Sequence, residues 1–146
     1  MTHLHTIGFT QTTAADFFGR LRDARIERLI DVRLNNVSQL AGFAKKPDLE
    51  FFLREIVGAD YVHELLLAPE EEALKAVRGG KVQWPEYERT YLALLKKRRV
   101  EKALDRKLFA KRSVLLCSEA KPDHCHRRLA AEYLREAWGG ITITHL

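Results

Sequence analysis

The chain has 146 residues, 46% of them hydrophobic and 31% charged, which is the balance of one compact domain over residues 1–146 and too little chain for two. A domain of this size buries roughly two-thirds of its unfolded surface, so the two cysteines, Cys117 and Cys125, are not needed as a staple. The start carries no signal-like apolar stretch and no apolar run approaches about 18 residues, which argues against secretion and against a membrane span and makes a reducing, cytoplasmic location the expectation.

Residues 4–9 form a short apolar segment broken at Gly8, followed by Thr12 and Thr13 and then by Phe17, Phe18 and Leu21. Thr13 with Asp16 three positions later resembles a capping box, so the pattern predicts strand, turn and helix. Residues 28–33 predict a buried strand, with Leu29, Ile30 and Val32 interrupted by Asp31 where the strand meets its working end. After a polar loop over 34–46, Asp48 opens a second helix with Leu49, Phe52, Leu53, Ile56 and Val57 on one face, closed by Gly58.

Residues 61–64 predict a short strand, and Pro69 sits in the first turn of an acidic helix that ends at Gly79 and Gly80. Pro85 starts another helix, whose apolar phase slips at residues 96–99, so a break is expected before Val100. Residues 96–112 hold nine basic residues against Glu101 and Asp105; this net of +7 leaves the remainder of a +5 chain at −2. Such a stripe attracts polyanions, but a solvated helical face explains it more simply, and Phe109 is its one aromatic for base stacking.

Residues 113–118 (SVLLCS) predict the most deeply buried strand, residues 124–138 a helix ended by Gly139 and Gly140, and residues 141–145 an alternating final strand. Short apolar strands alternating with amphipathic helices predict an α/β fold: a single three-layer domain with a mostly parallel sheet of about five strands and helices on both faces. In such sheets working residues gather beyond the carboxyl ends of the strands. That rule selects residues 8–10, Asp31 with Arg33, and residues 117–119.

The richest chemistry is CSEAKPDHCHRR, residues 117–128. Asp123 as N-cap would place His124, Cys125, His126 and Arg127 in a first helical turn, where free N–H groups and the helix dipole favour an anion and would lower the Cys125 pKa. Arg127 is suited to clamp a phosphate or carboxylate. A cysteine-phosphatase loop is excluded, because the residues six positions after Cys117 and Cys125 are Asp123 and Ala131. A zinc deaminase is excluded by the missing second cysteine pair. A metal site can draw on Cys117, Cys125, His124 or His126 with Asp31 or Glu119, but the spacing between the cysteines specifies none. As a residue of a buried strand Cys117 reads as a small hydrophobe, and Cys125 reads equally as a packed helix-start residue or a functional thiol. Asp31 reads equally as an ion-pair partner of Arg33 or Arg127 and as a catalytic acid, and Glu119 is the best general acid/base.

TIGFT over 6–10, DVR over 31–33 followed by Ser38, Tyr61, and CSEAKPDHCHR over 117–127 resemble the uncharacterised family catalogued as domain of unknown function 488. The resemblance spans nearly the whole chain. It implies a small α/β domain and points to Asp31, Arg33, Ser38, Cys117, Glu119, Cys125, His126 and Arg127. Three departures stand out: Phe9 where the family often has His, Asn36 in place of Pro, and residues 65–67 (Leu-Leu-Leu) in place of Leu-Gly-Gly.

The expectation is an enzyme acting on a phosphate-bearing or other anionic substrate, a nucleotide or nucleic acid. Asp31, Glu119, Cys125 and His126 are its catalytic candidates, and Arg33, Ser38 and Arg127 bind substrate. The alternatives are a non-catalytic nucleic-acid-binding module using residues 96–112, and a Cys/His metal-binding protein. No cofactor is specified, and no membrane partner is expected.

Overall fold

A computed structural model describes residues 2–36, 42–119 and 123–146. Its strands are β1 (Thr2–Gly8), β2 (Arg28–Asp31), β3 (Asp60–His63), β4 (Ser113–Cys117) and β5 (Ile141–His145), which form one sheet in the order β3-β2-β4-β1-β5. Every pairing is parallel, where the sequence had promised only a mostly parallel sheet. The helices are α1 (Ala14–Asp23), α2 (Lys46–Phe52), α3 (Glu71–Arg78), α4 (Trp84–Arg98), α5 (Val100–Ala103) and α6 (His126–Trp138). None is long and apolar enough to cross a membrane.

Side-chain parity decides what each strand contributes to which layer, because successive residues point to opposite faces. Leu4, Ile30, Leu115 and Cys117 pack with Tyr91 and Leu95 of α4 and Leu129 and Leu134 of α6. Ile7, Leu29, Val114 and Leu116 pack on the other face with Phe17 and Leu21 of α1 and Leu49 of α2. β4 lies between two strands with both faces covered, which is why all five of its residues are buried. β5, at the edge, keeps an alternating pattern with Ile141 inside and Thr142 out.

Connections that run toward β3 carry α1 and α2 on one face, and those that run back toward β5 carry α3 to α6 on the other. A single crossover hand requires this arrangement. The connection leaving β2 runs toward β3 and the one leaving its neighbour β4 runs toward β5, so the crevice past Asp31 and Cys117 is the topological switch point of the sheet.

Local signals explain most boundaries. The Thr13 hydroxyl accepts the Asp16 N–H at 3.1 Å, as the capping pattern predicts. The second helix starts at Lys46, two residues before Asp48, with Pro47 in its first turn; it continues through a π turn over Leu53–Val57 into Gly58, whose φ of 76° favours glycine. The expected break before Val100 is Arg99, held at φ 51° between α4 and α5.

One expectation fails here. Asp123 does not cap α6: the helix begins at His126, and Cys125, with extended backbone, is its N-cap. His124 and Cys125 therefore precede the helix, because residues 123–125 turn to bring Cys125 beneath β4 rather than winding into the first turn.

The basic segment over 96–112 is bent around the amino end of the sheet. Arg98 donates to the carbonyls of Leu66 and Ala68, Arg106 lies over Trp138, Lys111 pairs with Asp60, and Arg112 donates to Ala24 O. Lys111 and Arg112 precede β4, so they lie at the opposite end of that strand from Cys117.

Candidate functional site at the carboxyl edge

Two constellations meet at the carboxyl edge, one on each face of the sheet. Asp31 and Arg33 are two residues apart and share the α1/α2 face. The Asp31 carboxylate, fully buried, accepts from Arg33 Nε at 2.9 Å, Nη2 at 2.8 Å and the Arg33 backbone N–H at 3.1 Å, and from the Tyr61 hydroxyl at 2.6 Å. Four accepted bonds compensate the desolvation of this acid. The sequence left open whether Asp31 pairs with Arg33 or Arg127; the partner is Arg33.

Arg33 also donates to Ala44 O at 2.7 Å and stacks its guanidinium 5.1 Å from the Phe9 ring centroid. Phe9, one of the departures from the family pattern, thus floors the arginine. Asn36, another, donates to the Tyr61 hydroxyl at 3.0 Å and approaches His63 Nδ1 at 3.2 Å. The third, Leu65–Leu67, forms a short 3₁₀ helix. Burial, then the Asp31 charge, raises the Tyr61 pKa well above its ordinary value, so its proton stays on the bond to Asp31. Tyr61→Phe is expected to cost about 1.5–3 kcal/mol, the usual loss for a hydrogen bond to a charged group. Urea denaturation measures this, and a loss below about 0.5 kcal/mol would mean that Arg33 alone holds the carboxylate.

On the opposite face, Cys117 ends β4 and His126 begins α6. The Cys117 thiol lies 3.3 Å from His126 Nδ1, and His126 Nε2 lies 2.8 Å from Val32 O. A carbonyl only accepts, so Nε2 carries the proton. Val32 sits between Asp31 and Arg33, and this bond couples the two constellations through the backbone.

Burial opposes ionisation of Cys117, but the Cys125 thiol, the Ser118 N–H and the Arg127 charge outweigh it and hold its pKa below the ordinary thiol value. Cys125 goes the other way: burial and the neighbouring Cys117 push its pKa well up. The sequence reading had assigned the lowered pKa to Cys125, at the head of a helix. Cys125 instead stands at the N-cap as a buried donor to Cys117, and the thiol with the lowered pKa is the strand residue.

A cleft of two adjoining chambers opens over these residues, roofed by α3. The larger, about 390 Å³, is lined by Cys117, Glu119, His124, Cys125 and His126 with Arg78, Trp84 and Tyr87. The smaller, about 240 Å³, is lined by Arg33, Ser118, Cys117 and His126 with Glu71, Lys75 and Arg78. Arg33, Glu119, Cys125 and His126 therefore share one cleft. Asp31 and Arg127 lie behind its walls, and Ser38 falls outside the described residues.

Arg127, 1% exposed, donates through Nη1 to the carbonyl of Glu119, which fixes the segment after β4. A Cβ on Gly8 would overlap both that carbonyl oxygen and Arg127 Nη1, so the close approach of the two strand ends depends on glycine.

Arg78 and Lys75 were not singled out from sequence, and Tyr87 read as core packing more simply than as a pocket residue. No local pattern marks them, because α3 and α4 bring them over the strand ends. Cys117 was marked by its strand end and as a candidate metal ligand, although its place in a buried strand read as a small hydrophobe.

No curated protein and no solved structure matches the chain. The family model described as Domain of unknown function DUF488 matches residues 13–134, a span that includes the Asp31–Arg33 pair, the Cys117–His126 pair and the α3 roof, and the chain belongs to that family.

Proposed function

We propose that the chain is an enzyme acting on a phosphate-bearing or other anionic substrate, of the nucleotide or nucleic-acid class, bound in the cleft over β2 and β4. The observation that carries this reading is Arg33. It is 3% exposed and clamped by Asp31, it lines the smaller chamber, and its Nη1 has no hydrogen-bond partner among the described residues. A guanidinium held this firmly is preorganised for an oxyanion, and Arg78 adds positive charge to the same wall, where Lys75 is paired with Glu71 at 3.0 Å.

In this reading Arg33 and Arg78 hold the anion and Asp31 positions Arg33. Glu119, on the wall of the larger chamber with His126 and Cys125, transfers protons. Arg127 acts through the Glu119 backbone rather than on substrate. A nucleic-acid-binding module based on residues 96–112 draws less support, because Arg98, Arg106, Lys111 and Arg112 are engaged within the chain.

The test is calorimetric titration with inorganic phosphate and a nucleoside monophosphate at low ionic strength. Arg78 is exposed on α3, so Arg78→Ala should leave the melting temperature unchanged while weakening anion binding about 5- to 20-fold, the loss of one charge-assisted contact. Absence of binding in the wild-type protein, or equal binding by the variant, refutes the reading.

A further inference from the structure

We infer that Cys117, Cys125 and His126 bind a zinc ion at the floor of the cleft, with one coordination position open to the larger chamber. The inference stands apart from the anion-binding reading, since it rests on different atoms.

The first observation is convergence. The Sγ atoms of Cys117 and Cys125 and a ring nitrogen of His126 all lie within 4.8 Å of one another, and all three residues are buried. Tetrahedral zinc with bonds of about 2.3 Å to sulfur and about 2.0–2.1 Å to nitrogen puts its donors roughly 3.6–3.8 Å apart. The Cys117 Sγ to His126 Nδ1 distance is 3.3 Å and no donor pair is more than 4.8 Å apart, so side-chain shifts of about 1 Å bring the three donors to those spacings.

The second is the orientation of the imidazole. His126 Nε2 donates to Val32 O at 2.8 Å, which makes Nδ1 the ring nitrogen with a lone pair to give; Cys117 Sγ lies over the ring, 3.3 Å from Nδ1 and 3.6 Å from Nε2, so a turn of the imidazole aims that lone pair at the sulfurs. Metal-ligating histidines are fixed in this way, the far nitrogen donating to a carbonyl or carboxylate. The accepting carbonyl follows β2, one thiol ends β4, the other is the N-cap of α6 and the imidazole is the first residue of that helix, so the donors come from three elements of the fold.

The third is the coordination number. Three protein donors leave a fourth position, and the chamber beside them is lined by Glu119 and by Tyr87, whose hydroxyl is buried and has no partner among the described residues. His124, the nearest further imidazole in sequence, stacks on Trp84 instead. Two cysteines and one histidine with an open position is a donor set of catalytic zinc, whereas structural zinc is closed by four protein ligands. Two thiolates also neutralise a divalent cation, which suits a buried site. Binding to the two thiols displaces their protons, two per metal ion, and Nδ1 contributes a lone pair without a proton change.

The experiment uses the full-length chain purified without a metal-binding tag, stripped with a chelator under reducing conditions and titrated with cobalt(II) as the spectroscopic stand-in for zinc. One equivalent should produce a thiolate-to-metal charge-transfer band and tetrahedral d–d bands, both bleached by one equivalent of zinc. Cys117→Ser and Cys125→Ser should each weaken zinc binding at least about 100-fold, and Val32, which contributes only a carbonyl, should tolerate Val32→Ile. Because a cysteine variant can fail to fold, X-ray absorption of the zinc-loaded wild-type protein provides the second measurement, with two sulfur neighbours and at least one nitrogen expected. Cobalt spectra without charge transfer, or a zinc shell of nitrogen and oxygen alone, overturn the inference. Phosphate titration of the metal-free protein and of Arg78→Ala separates this outcome from the fate of the anion-binding reading.

Discussion

Asp31→Asn should destabilise the protein by about 3–5 kcal/mol, the cost of leaving one member of a buried ion pair uncompensated. The substitution preserves shape but removes the charge that three Arg33 donors and the Tyr61 hydroxyl all address, and both residues of the ion pair are buried, at 0% and 3% exposure. For a chain of 146 residues this corresponds to a fall of roughly 10–15 °C in melting temperature. The double variant Asp31→Leu with Arg33→Met should recover much of the loss, because an apolar pair of similar volume avoids the desolvation cost. A single-variant loss below about 1 kcal/mol would show that the cavity admits water to Arg33. Failure of the double variant to recover would assign the cost to packing instead of charge.

Gly8→Ala should be nearly as damaging although it adds one methyl group. The new Cβ would overlap the Glu119 carbonyl oxygen and Arg127 Nη1, so the backbone at the ends of β1 and β4 must separate or the Arg127–Glu119 bond must break. Overpacking alone costs about 1–3 kcal/mol, and a lost bond from a buried charged donor adds about 1.5–3 kcal/mol. Gly19 is the internal control: a Cβ there meets nothing within 4 Å, and Gly19→Ala, in the middle of α1, should stabilise by up to about 1 kcal/mol. Equal melting temperatures for the two variants would refute the close-approach argument at Gly8.

Both predictions concern residues that were visible in the sequence, for different reasons. Asp31 announced itself as a charge inside an apolar strand, and desolvation demanded a partner, which parity then restricted to residues on its own face. Gly8 announced itself only as a break at a strand end; the carbonyl that forbids a side chain there comes from Glu119, more than a hundred residues later.

Much of the layering was legible, since a buried parallel strand and an amphipathic helix leave distinct periodicities. Hence β4, the Arg99 break and the Thr13 cap fall where the pattern puts them. The start of α6 did not, because a favourable N-cap residue at Asp123 competes with the burial of Cys125 under the sheet, and burial prevails.

What the sequence by itself determined is the inventory: a three-layer domain with a mostly parallel sheet, an acid and an arginine at one strand end, and two thiols with an imidazole at another. Local spacing carries that information because secondary structure is a local property. The tertiary structure alone decided which of these groups act together. It paired Asp31 with Arg33, exchanged the thiol roles of Cys117 and Cys125, and brought Arg78 and Tyr87 over the strand ends. The reason is physical: ion pairing, desolvation and metal geometry depend on distances through space, and the crossover connections set those distances.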